Sequence, residues 1–126
     1  YFKLFMSDVG LLAALSKLNF SEILLETAMI YRGIMTENFV AQNFANKGID
    51  LFYWESKSMA EIDFLLNIEG DIIPVEVKSS ENTKSKSLKT FNEKYNPPYS
   101  IRISTKNFGL NEKIRSIPLY AVHLLK

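Results

Sequence analysis

Two carboxylates and a lysine fall into phase on neighbouring strand-like runs. Across Asp71–Lys78, alternation puts Ile73, Val75 and Val77 on one face and Ile72, Pro74, Glu76 and Lys78 on the other. Glu69-Gly70 is a tight-turn signal joining this run to the preceding one, 60–68. If those two residues form the whole loop, Ile68 faces Asp71, Asp63 falls opposite Glu76, and Glu61 falls opposite Lys78. Directly opposed residues have β-carbons about 4.5–5.5 Å apart. Two carboxylates at that distance repel, and a divalent cation between them converts the repulsion into binding. Mg²⁺ favours one or two carboxylates plus water, and Mn²⁺ is the alternative ion. Lys78, on the same face, could hold an attacking water or a developing phosphate charge. A three-residue loop would instead send Glu76 to the opposite face. The plain alternative is an exposed hairpin edge with ordinary surface charges and an incidental Glu61–Lys78 pair.

A third acid lies upstream. In the helical run from Gly33 to Lys47, Glu37 shares a stripe with Ile34, Val40, Ala41 and Phe44, whereas Asn38, Gln42 and Asn46 lie off it. A carboxylate on a core-facing stripe is costly unless it is paired or metal-bound.

Composition narrows the chemistry. The 126 residues are 47% hydrophobic and 23% charged, the balance of one globular domain. No apolar run approaches the ~20 residues of a membrane span. Cysteine is absent and His123 is the single histidine, so thiolate zinc, cysteine nucleophiles and Ser-His-Asp triads have no material. The lack of cysteine fits a reducing, cytoplasmic setting. The start, Tyr1-Phe2-Lys3, has neither a Met nor a signal-peptide pattern, which suggests a piece of a longer protein. Net charge is +1, but residues 1–81 carry −6 and residues 82–126 carry +7. An acidic site beside a basic, polyanion-receiving surface is one reading of that split, and two solvated faces the other.

The elements that must position these groups are legible in outline. Residues 2–6 read as a short strand, Asp8 as the cap of a helix over 10–18, and Ser21 as the cap of another over 22–28. The long helix 33–47 closes on Gly48. Strands are expected at 51–54, 60–68, 71–78, 99–104 and 119–124. A helix at 86–95 carries Leu88, Phe91 and Tyr95 on one side and stops at Pro97-Pro98. Trp54 and Tyr53 are expected to fill the core beside the hairpin. No phosphate-binding glycine loop is present.

A helix Glu37, a strand Asp63 and then Glu76-Val77-Lys78 resemble the PD-(D/E)XK nuclease superfamily, with Ile62 in place of the name-giving proline. The likeness is closer to the domain of unknown function that follows the ATPase domain in many archaeal and bacterial AAA-type ATP-binding proteins. The hallmarks are Lys3-Leu4-Phe5, Asp8-Val9-Gly10-Leu11, Gly33, Glu37-Asn38-Phe39-Val40, Phe52-Tyr53-Trp54 and Glu61-Ile62-Asp63-Phe64. Pro74-Val75-Glu76-Val77-Lys78, Lys86-Ser87-Leu88 and Ile117-Pro118-Leu119-Tyr120 complete them.

The resemblance implies an α/β, restriction-endonuclease-like fold, a central mixed β-sheet flanked by α-helices, in one domain over 1–126 with an ATPase region upstream. It implies Mg²⁺ (or Mn²⁺) at Asp63 and Glu76, the Val77 carbonyl as a further ligand, Glu37 holding metal or its water shell, and Lys78 activating water. The implied activity is phosphodiester hydrolysis of DNA, with no membrane partner. Lys84, Lys86, Lys89, Lys94, Arg102 and Lys106 would contact phosphates without reading sequence. The alternative is a module that binds nucleic acid or a partner and regulates the ATPase without cutting. A third is a cap for ATPase oligomers, with Phe5, Leu11, Leu12 and Leu15 facing the partner.

Overall fold

The Glu69-Gly70 turn organises the sheet. Both residues have positive φ, 54° and 94°, as a two-residue hairpin loop of the favoured twist requires. The Gly70 N–H donates to Asn67 Oδ1 at 3.1 Å. This loop fixes the expected pairing, from Ile68↔Asp71 through Leu66↔Ile73 to Phe64↔Val75. The computed structural model describes residues 2–17, 21, 29–57, 59–79 and 85–125; the helix expected over 22–28, and Lys84, lie outside them.

Six strands form one mixed sheet in the order β1-β2-β3-β4-β6-β5. They are β1 (Phe52–Glu55), β2 (Glu61–Ile68), β3 (Asp71–Lys78), β4 (Ser100–Ser104), β5 (Gly109–Asn111) and β6 (Ile114–Pro118). β1, β2 and β3 are antiparallel neighbours; β3–β4 and β4–β6 are parallel, and β5 returns antiparallel to β6. Helix α1 (Val9–Leu15) is capped by Asp8, whose carboxylate accepts the Leu11 N–H at 2.8 Å. Helix α2 spans Met29–Asn46 and helix α3 spans Lys86–Tyr95. α3 supplies the crossover that the parallel β3–β4 pair needs.

α2 ends as expected. Gly48 has φ +71°, its N–H reaches the Ala45 carbonyl, and the Ile49 N–H reaches the Phe44 carbonyl, closing a glycine-terminated helix end. Its stripe of Val40, Ala41 and Phe44 is fully buried against Phe64, Leu66, Ile73, Val75, Ile101 and Ile103 of the sheet. On the other face, Leu88 and Phe91 of α3 pack on Ile62, with Trp54 and Leu65 beside them. Trp54 thus lines this second core, edge-on to Phe91 at 5.2 Å. The architecture is α/β, helices on both faces of a mixed sheet. Among the described residues, no helix is long and apolar enough to cross a membrane.

The two cores reveal a bulge. Ile62 and Leu65 share the α3 face, whereas Phe64 and Leu66 belong to the α2 face. Pairing agrees: Phe52 faces Leu65 but Trp54 faces Ile62, so Asp63 and Phe64 together oppose Tyr53 alone. The extra residue turns the first part of β2 over.

Three expectations are corrected. Residues 2–6 form no strand; at Met6 a helix side chain takes both backbone groups, the Met6 N–H donating to Asn38 Oδ1 at 2.7 Å and Asn38 Nδ2 to the Met6 carbonyl at 3.1 Å. Asn38, placed off the buried stripe by spacing, is therefore 3% exposed. Residues 119–124 form a 3₁₀ helix rather than a strand, its end tied by Lys47 Nζ to the His123 and Leu125 carbonyls. Helix α1 ends at Leu15, not at residue 18.

Candidate functional site

The bulge decides where Asp63 goes. With Asp63 and Phe64 both opposite Tyr53, Asp63 leaves the regular alternation that set it directly across from Glu76. The paired register stops at Phe64↔Val75. Continued, it would give the Val77 N–H to the Ile62 carbonyl. Asp63 Oδ2 takes that N–H instead, at 2.7 Å. Glu61 is likewise not matched to Lys78: it pairs with Glu55 of β1.

Two groups of charges meet at this point. In the first, Lys3 Nζ binds Glu37 Oε1 at 2.8 Å and Glu61 Oε1, and lies 3.7 Å from Asp63 Oδ1. In the second, Lys78 Nζ binds Glu76 Oε1 at 3.1 Å. Val77 packs with the α2-side core, so Glu76 and Lys78 alternate to the other face, where Glu76 neighbours Arg102 of β4. Asp63 connects the two groups by charge and not by direct bonding: it feels both Glu37 and Glu76. Asp63 thus senses Glu37 and Glu76, Lys78 is joined to Glu76 alone, and the four do not form one bonded cluster.

Burial pushes the Asp63 carboxyl up to about 7; the Val77 N–H pulls it down, the Glu37 charge raises it, Lys3 lowers it and the Glu76 charge raises it. Lys3 shows the opposite balance. Burial alone would lower its ammonium, but the hydrogen bonds to Glu37 and Glu61 and the charges of Glu37 and Asp63 outweigh burial and raise it.

Glu76 carries the sharpest irregularity. It is 2% exposed, and its Oε2 is buried without a hydrogen-bond partner. A buried carboxylate oxygen left unpaired is expensive. Glu76, through that orphan oxygen, and the largely buried Asp63 are the two carboxylates that could ligate a hard cation, with water filling the other positions as Mg²⁺ prefers. Among the described residues, no three His, Cys, Asp or Glu side chains stand close enough to hold a metal by themselves. The described carboxylates therefore form no full protein cage for an ion.

Lys3 was missed by chemistry-first reading. Its partners lie 34 or more residues away, so spacing offers no signal.

The basic residues are dispersed around α3 and β4. Lys86 and Lys89 are exposed on α3, Lys89 being 4.0 Å from Glu93. Lys94 lies over the rings of Trp54 and Tyr95, at 5.8 and 5.0 Å. Arg102 Nε donates to Ser85 Oγ at 2.9 Å, which links the Glu76 neighbour to the start of α3. Lys106 is exposed after β4.

Residues 32–122 match the model of a family described as a domain of unknown function (DUF4143). The match covers most of the chain, and the chain belongs to that family. No curated protein and no solved structure matches it.

Proposed function

We propose that this member of the DUF4143 family is a divalent-metal-dependent phosphodiesterase acting on nucleic acid, DNA in the first instance. In this reading the sheet is of the restriction-endonuclease-like, PD-(D/E)XK type, and the domain serves an AAA-type ATPase region of the same cytoplasmic polypeptide. The observation that carries the reading is Glu76: a buried carboxylate with one oxygen on Lys78 and the other unpartnered, within charge range of Asp63.

Asp63 and Glu76 would hold Mg²⁺ or Mn²⁺, with the Val77 carbonyl as a further donor and Glu37 holding the ion's water shell. When bound, such an ion supplies a hydroxide-like water at neutral pH and neutralises charge on the phosphoryl oxygens. Lys78 orients Glu76 through Oε1, and its ammonium has further donors for a water or a phosphate oxygen. Lys86, Lys89, Lys94, Arg102 and Lys106 would hold the polyanion by its backbone; Lys84 belongs to the same proposal.

The test is cleavage of single-stranded, duplex and branched DNA in Mg²⁺ or Mn²⁺. Wild-type protein should cut, and Asp63→Ala or Lys78→Ala should abolish cutting while the fold persists. A pure, folded sample that cuts none of these in either ion contradicts the reading.

One observation favours a second reading. Lys3 already neutralises Glu37 and Glu61 and approaches Asp63, which is what a domain without metal would need. The domain would then bind nucleic acid or a partner and regulate the ATPase without cutting. That reading predicts salt-sensitive binding that survives both chelation and Asp63→Ala.

A further inference from the structure

Lys3 separates two clefts. One of about 310 Å³ is lined by Lys3, Phe5, Leu12, Glu37, Asn38 and Glu61 among others. The other, of about 210 Å³, is lined by Phe2, Lys3, Phe5, Tyr53, Asp63 and Phe64 among others. Lys3 and Phe5 belong to both, so the segment carrying them is the partition between Glu37 and Glu61 on one side and Asp63 on the other.

That partition is lightly built. Leu4 is 86% exposed and Phe2 79%. The backbone of residues 2–6 joins no sheet; the Asn38–Met6 hydrogen bonds hold it to α2, and Phe5 packs 5.7 Å from the Phe64 ring. Among the described residues, the other ties are the ion pairing of Lys3 with Glu37, Glu61 and Asp63 and its seat over the Tyr53 ring at 5.6 Å. Each of these ties can break without opening the β-sheet.

We infer that Lys3 is an intramolecular counter-ion that competes with a divalent cation for the Glu37–Asp63 side of the site, which makes residues 2–6 a latch on metal entry. The inference rests on the metal reading above and adds its regulation. An ammonium and a divalent cation cannot share the same carboxylates without strong repulsion. Binding of either therefore weakens binding of the other by the same factor. Whatever draws residues 2–6 away from α2 joins the two clefts and raises metal affinity.

The experiment compares Mn²⁺ binding by calorimetry in wild type, Lys3→Met and Asn38→Ala, alongside melting with and without Mn²⁺. Lys3→Met keeps the stem and removes the charge; Asn38→Ala unties the segment without changing any charge. The expected result is that Lys3→Met binds Mn²⁺ about tenfold or more tightly than wild type, as loss of a close charge coupling implies. It should also melt lower without metal and gain more on Mn²⁺ addition. Asn38→Ala should bind more tightly by a smaller factor, and adding Asp63→Asn to Lys3→Met should erase the gain. Equal Mn²⁺ affinity in wild type and variants overturns the latch and leaves the metal site standing. Absence of Mn²⁺ binding in every protein overturns both. If Lys3→Met does not fold, unchanged affinity in Asn38→Ala is sufficient to overturn the latch.

Discussion

Asp63 Oδ2 accepts the backbone N–H of Val77 at 2.7 Å, just beyond Phe64↔Val75, where the β2–β3 pairing stops. A side chain thereby does the work of a strand carbonyl at the place where the two strands part. That N–H belongs to the Glu76–Val77 peptide, so the same bond sets the Asp63 carboxyl against the backbone of the residue that carries the second candidate carboxylate.

The elevated Asp63 carboxyl makes stability depend on pH. Its folded value is about 7, against about 3.9 in an unfolded chain. Between those values the folded state keeps a proton that the unfolded state has released, so stability falls as pH rises from about 4 to 7. The slope from one such group is at most about 1.4 kcal/mol per pH unit. Lys3, raised above its ordinary range, stays charged throughout this window and adds no slope. Urea midpoints across that range should fall more steeply for wild type than for Asp63→Asn; parallel curves would contradict the assignment.

Lys78 is the partner of a buried charge. Lys78→Met leaves Glu76 without a counter-charge, and because Lys78 is itself one-third exposed the loss should be about 1–3 kcal/mol, less than for a fully buried pair. Lys78→Met/Glu76→Gln should recover part of it. Chemical denaturation of the two single variants and the double variant gives the coupling; strict additivity would mean that the pair is not formed.

Asn38 replaces a missing strand neighbour for the N-terminal segment. Asn38→Ala should cost about 1–3 kcal/mol, since it leaves the Met6 N–H and carbonyl unpaired. Hydrogen exchange at Met6 should accelerate while that of Leu66 and Ile73 at the sheet centre stays slow. Unchanged exchange at Met6 would show that Asn38 does not hold the segment.

Non-specific nucleic-acid binding would be read most simply on α3. Replacing Lys86 and Lys89 by Ala should weaken DNA binding uniformly across sequences. It should also lower the slope of log K against log salt by about 0.7–0.9 for each phosphate that is no longer neutralised. An unaltered salt slope would take these two lysines out of the interface.

Much of this arrangement was legible before the structure. The Glu69-Gly70 loop fixed the hairpin register, since a two-residue loop leaves one choice of pairing. The Val40, Ala41 and Phe44 stripe, the Gly48 helix end and the burial of Leu88 and Phe91 follow from helical periodicity. Residues 119–124 did not, because a short apolar run suits a strand or a helical turn equally. β5 and β6 went unseen because Gly109–Asn111 is short, polar and exposed, and their turn places Glu112 rather than a glycine at φ +53°. The bulge that re-aims Asp63 has no local marker, and the meeting of Lys3 with Glu37 and Glu61 is purely tertiary. Asn38 fell off the buried stripe because its partner is a backbone group that spacing cannot reveal.

The most direct test of the metal reading is a crystal soaked in Mn²⁺, with its anomalous signal located at the β2–β3 parting. A peak with Asp63 and Glu76 oxygens at about 2.0–2.2 Å, and with Lys3 withdrawn from Glu37, is the predicted result. A folded protein with no peak there, Lys3 still on Glu37 and Glu61, and Glu76 Oε2 satisfied by water alone would contradict it.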